Sequence, residues 1–383
     1  MESLKLKLEN VKVKDFRVRS KDNFIDKDLE SMFFPLHLMQ SVLLNPKYII
    51  KKGLIKPTNI LYKLLSVVLT VLLGFVYLYR VQDLGCNIII LQYLSTMYYS
   101  AYFDLVFYSI GFTAISILNV FNSKHNIEFF LKIQDLHRAL NNDTSSKRFI
   151  KWNWIYVIGN VFVSFFTSIV ICFLLHIPIY MYVCCVSLIL FDATMVYATR
   201  MIAFLADKTN LWADKVKRII LHRSACVHNE DSCEAMFQAF KHILESYEMY
   251  KSSFQLMILF NIIHFFCHIL IYVEITGPTG ALVILFNYSS WLFKILMTHV
   301  FLSCYFETFY TAMYKTQDVC AIILNSDCTD AERRLCKNIQ RLYEVEFDKM
   351  NVCRIVRINA SLPLDLIELT TNYTIALLQF ALL

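Results

Sequence analysis

The chain has 383 residues, of which 57% are apolar and only 18% charged, where a soluble globular protein has about 45–50% and about 25%. A mean hydropathy of +0.48 is more than one soluble core of this size can hide, and only seven residues are glycine, so the chain is a membrane protein and not collagen-like or low-complexity material. The net charge of +6 is too modest for a basic groove, and no nucleic-acid partner is expected.

Residues 1–30 mix both charges and contain no apolar signal-peptide core. A helix that crosses a bilayer needs about 20 apolar residues. Seven stretches qualify, at 60–79, 88–118, 154–175, 180–205, 256–273, 281–305 and 364–383. The predicted fold class is therefore an all-α membrane protein with seven transmembrane helices. Of 37 Lys and Arg residues, 33 fall in residues 1–59 and in the second, fourth and sixth connections. The positive-inside rule then makes the N-terminus cytoplasmic and the C-terminus extracellular. That is the opposite sense to a G-protein-coupled receptor. Arg80 is the sole basic residue expected in the odd-numbered connections, while Lys63, Arg200 and Lys294 lie within spans.

The organisation that follows is a cytoplasmic segment 1–59, then helices 1–6 over 60–305 with cytoplasmic extensions at 119–153 and 206–255. Cytoplasmic anchor helices over 306–363 and a last helix at 364–383 complete it. Six of the 12 cysteines fall in expected cytoplasmic segments, where thiols stay reduced, and neither a disulfide framework nor a zinc spacing emerges. The sequons at Asn142 and Asn359 fall on the same side and are expected to carry no glycan. Outer connections are short (80–87, 176–179 and 274–280), so an external ligand must enter between helices. Phe237, Phe240, Leu244 and Tyr247 recur at helical spacing and run into the fifth span. Thr329 and Glu332 form a capping-box pattern ahead of Leu335, Ile339, Leu342 and Val345. These stripes either pack on one another within the chain or form a subunit-packing domain below the bilayer.

On a helix over 364–383, Asp365, Glu368, Asn372, Ala376, Gln379 and Leu383 share one face. Ile367, Leu377 and Leu378 lie opposite. A polar face in hydrocarbon must meet protein or water. Repeated about an axis, it would line a water path with an acidic inner ring that favours cations, closed at the outer end by Phe380 and Leu383. The alternative is a polar face packed against neighbouring helices of a monomer.

The run Asn372-Tyr373-Thr374-Ile375-Ala376-Leu377-Leu378-Gln379-Phe380, three residues from the end, resembles the C-terminal signature of insect gustatory receptors. That signature is Thr-Tyr, five mostly apolar residues, then Gln-Phe. Tyr373, Gln379 and Phe380 match, and Asn372 stands in place of the threonine. The motif covers the last twenty or so residues, and the topology and length extend the resemblance over the chain. It implies a tetrameric, tastant-gated, non-selective cation channel in the plasma membrane of sensory neurons, as a homotetramer or together with related receptors. It further implies a pore constriction at Gln379 and Phe380, and in each subunit a ligand pocket open to the outside.

Candidate pocket residues are Asn287, Tyr288 and Trp291 of the sixth span, Asn261 and His264 of the fifth, and Gln92 and Tyr99 of the second. Buried charges must pair; Lys294 is expected to pair with Asp104 or Asp192, and Arg200 to snorkel inward. The aromatic and aliphatic spans tilt the ligand toward a bitter plant compound over a sugar. Permeant cations and membrane lipid are the other expected partners. Competing classes are an odorant-receptor-type subunit that needs a co-receptor and a secondary transporter, although no internal repeat is visible. No nucleophile elbow, phosphate loop or metal-ligand set appears, since His264 and His268 lack a third ligand. Neither an enzyme nor a cofactor is expected.

Overall fold

The computed structural model describes residues 23–51, 53–86, 95–140, 143–175, 178–221, 229–279 and 282–382. Helix α1 (Lys27–Val42) buries Leu29, Met32, Phe33, Leu36 and Met39 along one side, the spacing of an amphipathic helix. A short hairpin follows, β1 (Ile49–Lys51) against β2 (Leu54–Lys56), with Ile50 opposite Ile55. Its turn places Gly53 at φ +72°, a region open to glycine, and a Cβ there would come within 3.2 Å of the Phe24 ring.

Helix α2 (Ile60–Cys86) continues past residue 79. Nothing in Arg80-Val81-Gln82-Asp83-Leu84 breaks a helix, and Val81 and Leu84 are buried. Arg80 is therefore a helical residue, not part of a connection. Helix α3 (Ser95–Ser116) ends in a π-helical turn, Ile117–Phe121. Its widened backbone is satisfied from outside: Asn126 Nδ2 donates to the Leu118 and Asn119 carbonyls at 2.8 and 3.0 Å, and Thr58 Oγ1 donates to Val120 at 2.7 Å. Helices α4 (Ser123–Ala139) and α5 (Asp143–Leu175) follow, and α1 packs along α5.

The expected single span over 180–205 is divided into α6 (Ile179–Ser187) and α7 (Ile189–Leu221). The cause is local. Tyr77 Oη and Ser187 Oγ both donate to the Cys184 carbonyl, at 3.2 and 2.7 Å, which the amide of Leu188 would otherwise engage in a continuous helix. Helix α8 (Asn229–Thr279) has 51 residues and α9 (Leu282–Leu324) has 43. At 1.5 Å per residue they reach about 77 and about 65 Å, far beyond a hydrocarbon core of about 30 Å. Both must run well outside the bilayer.

There they build an aromatic core with α4, α7 and α10 (Asp330–Glu346). Trp212, Phe240, Tyr247, Tyr250, Phe306, Phe309 and Tyr310 are fully buried. The capping box of α10 is formed: Thr329 Oγ1 accepts from the Glu332 amide at 3.3 Å, and Glu332 Oε2 accepts from the Thr329 amide at 2.8 Å. Leu335 and Ile339 are buried, Leu342 is partly buried and Val345 is exposed. A second hairpin, β3 (Asn351–Val352) with β4 (Val356–Arg357), turns through Cys353 and Arg354 at φ 49° and 61°. Side chains in that region carry strain. Tyr310 holds the hairpin, accepting from the Met350 amide at 2.9 Å and donating to the Ile358 carbonyl at 3.0 Å.

Among the described residues, six helical stretches are long and apolar enough to cross a membrane: Ile60–Cys86, Tyr98–Phe121, Ser146–Ile169, Ile179–Arg218, Glu230–Ile271 and Ser289–Leu324. The chain is an all-α membrane protein apart from the two small hairpins. Helix α11 (Leu362–Leu382) is the last element, and it is not among the six.

Candidate functional site

Helix α11 is started by Asn359, whose Oδ1 accepts from the Leu362 amide at 3.1 Å and from Ser361 Oγ at 2.9 Å. Leu362, Leu366 and Thr370 are buried, and the helix packs on α8 and α9. Farther along, Tyr373 meets Phe266 of α8 edge to face at 5.4 Å. The polar face points away from the chain: Asp365, Glu368, Asn372 and Gln379 are exposed and Ala376 is half-buried. Asp365 accepts from its neighbour Ser361, at 2.9 Å. The side opposite is not uniformly packed, because Ile367 is 42% exposed. The side chains of Leu377, Leu378 and Phe380, and all of Leu383, lie outside the described residues.

The candidate pocket residues are partly brought together. Asn261 and His264 are buried on α8, and the Trp291 ring of α9 stands edge-on to His264 and His268, at 5.1 and 4.9 Å between centroids. Tyr99 is 69% exposed and packs on Tyr98, apart from this group. Gln92 lies outside the described residues, as do the side chains of Asn287 and Tyr288.

What assembles around the histidines is a polar cluster shared by α2, α3 and α8. Tyr108 Oη lies 2.7 Å from His264 Nε2 and 2.8 Å from His268 Nε2. Asp104 Oδ1 lies 3.4 Å from His268 Nε2, and Asp104 Oδ2 accepts from Arg80 at 2.7 Å. Asp104, Tyr108, His264 and His268 are all buried. Sequence reasoning left out Tyr108 and the Arg80 pairing. The signal was present in Asp104 and Tyr108 at i and i+4, matching His264 and His268 at i and i+4 on a second helix.

The charges in the spans resolve as follows. Lys294 pairs with Asp192 and donates to Ser164 Oγ at 2.9 Å, and Asp104 is taken by Arg80. Arg200 does not snorkel: it is 3% exposed. Its Nε donates to Asn153 Oδ1 at 2.6 Å and Nη1 to Tyr305 Oη at 3.2 Å. The guanidinium lies over the rings of Phe149, Tyr156 and Tyr305 at 4.6, 5.1 and 5.6 Å, a cation–π cradle that holds it where a free side chain would reach for water.

Below this region Lys47 is fully buried, donating to Asn119 Oδ1 at 2.8 Å and lying over the rings of Phe254 and Tyr197 at 4.7 and 5.4 Å. Burial lowers its ammonium pKa to about 7. Among the described residues, no three His, Cys, Asp or Glu side chains are placed to hold a metal ion. No protein-family model matches the chain, and neither does any curated protein.

Proposed function

We propose that this chain is a subunit of a ligand-gated cation channel of the gustatory receptor type. In this reading α11 is a seventh span lining a central water path, the N-terminus is cytoplasmic and the C-terminus is outside. The observation that carries the reading is a contrast within one chain. The charged groups of the other spans (Arg80 with Asp104, Lys294 with Asp192) pair inside the subunit, whereas Asp365, Glu368, Asn372 and Gln379 of α11 face out of it. Such a face is costly against lipid and is relieved by water and by copies of itself around an axis.

Four subunits would place Asp365 and Glu368 as an acidic inner ring and Gln379 with Phe380 at the constriction. The membrane is the plasma membrane of a sensory neuron, and the ligand is a tastant, apolar and bitter in type more than a sugar. The buried aromatic and imidazole groups around Trp291 favour an apolar, adaptable guest. The test is whole-cell recording from cells expressing only this chain, challenged with pools of bitter plant compounds and of sugars. A ligand-evoked cation current altered by Gln379→Ala and Phe380→Ala supports the reading. A current that both substitutions leave untouched removes α11 from the pore.

A further inference from the structure

We propose that the chain of groups Asp104, His268, Tyr108 and His264 is a proton-binding site, so that acid is a second ligand of this protein. Its use in gating rests on the channel reading above, whereas the binding itself does not.

The argument starts from counting hydrogens. Tyr108 has one phenolic proton, yet its oxygen lies within 2.8 Å of two imidazole nitrogens. With the phenolic hydrogen spent on one of the two rings, that ring has a bare Nε2 and the other carries the Nε2–H. Asp104 settles which ring. Its carboxylate accepts and cannot donate, and its Oδ1 faces His268 Nε2 at 3.4 Å, so His268 is assigned the Nε2–H and His264 the bare nitrogen. The neutral site then has one direction: His268 donates to the Tyr108 oxygen, and Tyr108 donates to His264 Nε2.

One added proton on His264 Nε2 reverses part of this chain. It binds a bare imidazole nitrogen, no bond to carbon changes, and the net charge of the site rises by one. With both Nε2 atoms protonated, each ring donates to the Tyr108 oxygen, and the phenolic hydrogen loses its acceptor on α8. The positive charge belongs to the coupled pair, not to either ring. It is drawn toward Asp104, which already holds Arg80 at 2.7 Å.

The surrounding groups fit this assignment. On α2, Arg80 faces the carboxylate, and Tyr77 lies against Tyr108 with its hydroxyl turned to Cys184 and Ser187 of α6. Cys185 of α6 is also near Tyr108. On α9, Lys294 and His299 are near enough to act on His264 electrostatically, and Lys294 is already held by Asp192 and Ser164. From α7 the neighbour is Phe191, which carries no charge. Among the described residues, Asp104 is the carboxylate placed beside the imidazoles, and it is the group that would receive an imidazolium.

The site is also wired to the candidate pore. Phe266 lies between His264 and His268 on α8, and its ring meets Tyr373 of α11 at 5.4 Å. A change in how α8 is tied to α3 reaches the pore helix through one contact.

Trp291 provides a readout that needs no current. Of the four tryptophans, it is the one edge-on to both imidazoles, and a nearby imidazolium quenches indole emission. The full chain in lipid nanodiscs is titrated from neutral to acid pH, with the Trp291→Phe protein subtracted. The expected result is one loss of Trp291 emission on the acid side of neutrality, absent from the His264→Gln/His268→Gln protein. Tyr108→Phe is the second variant, for the case in which that protein does not fold. It keeps the ring and deletes the hydroxyl between the two imidazoles, so the midpoint moves.

An emission profile that is flat into acid, or a midpoint that Tyr108→Phe leaves in place, overturns the proposal. A transition with the expected shift, in a chain that carries no current under any ligand, supports the proton site and counts against the channel reading alone.

Discussion

Helices α8 and α11 lie against each other and handle polar residues in opposite ways. Along α8 the polar side chains in the apolar stretch turn inward: Asn261, His264 and His268 are buried against α3 and α9. Along α11 the equivalent groups turn outward, while Leu362, Leu366 and Thr370 face the chain. The difference teaches where each helix finds its partner. Helix α8 is completed by its own subunit, and α11 presents a polar face that its own subunit does not cover.

The inner arrangement is the one whose loss should cost most. Asp192→Leu leaves the Lys294 ammonium without its carboxylate, and removing one member of a buried pair costs about 3–5 kcal/mol. Thermal unfolding of the purified protein should show this loss. The double variant Asp192→Leu/Lys294→Met should recover most of it, because no uncompensated charge remains. Equal losses in the single and double variants would show that the site depends on packing and not on the pair.

A smaller effect is expected where α3, α7 and α8 meet. A Cβ added at Gly111 would overlap the rings of Phe191 and Phe260, which stack at 5.1 Å. Gly111→Ala should cost about 1–3 kcal/mol as overpacking, read as a lowered melting temperature. An unchanged melting temperature would mean that the rings have room to move.

Lys47 gives a pH test of burial near the π-helical turn. Its folded pKa of about 7 lies below the value of about 10.4 for an unfolded lysine. Between these values the unfolded chain binds the extra proton, so stability rises with pH across that window and is flat for this group below it. Lys47→Met should flatten the rise. A rise that survives the substitution belongs to another group.

The smallest stability effects are expected on α11. Glu368→Gln and Asn372→Ala touch no buried partner and should change unfolding by no more than about 0.5 kcal/mol, even as Glu368→Gln weakens cation preference in current recordings. Unfolding losses like those at Asp192 would place this face inside the subunit.

The sequence carried the local parts of this architecture well. Thr329 and Glu332 lie three residues apart and meet as a capping box, and the Phe240, Leu244 and Tyr247 stripe joins the fifth span in one helix, because both depend on neighbours along the chain. It carried the long-range parts poorly. Whether Lys294 meets Asp104 or Asp192 depends on how helices are placed laterally, which hydropathy does not encode. Arg200 has no local feature that distinguishes an aromatic cradle from a path to water. The break at Leu188 depends on Tyr77, a residue of another helix, and the proximity of Tyr108 to both imidazoles requires two helices in register.

The most direct test of the central claim is the reach of water along α11. Single cysteines at Glu368, Asn372 and Gln379, and at Leu366 and Thr370 for contrast, are exposed to a membrane-impermeant, charged thiol reagent during current recording. Positions 368, 372 and 379 should react and block the current while 366 and 370 do not. Block confined to 366 and 370, or equal at all five positions, would contradict a pore lined by the polar face.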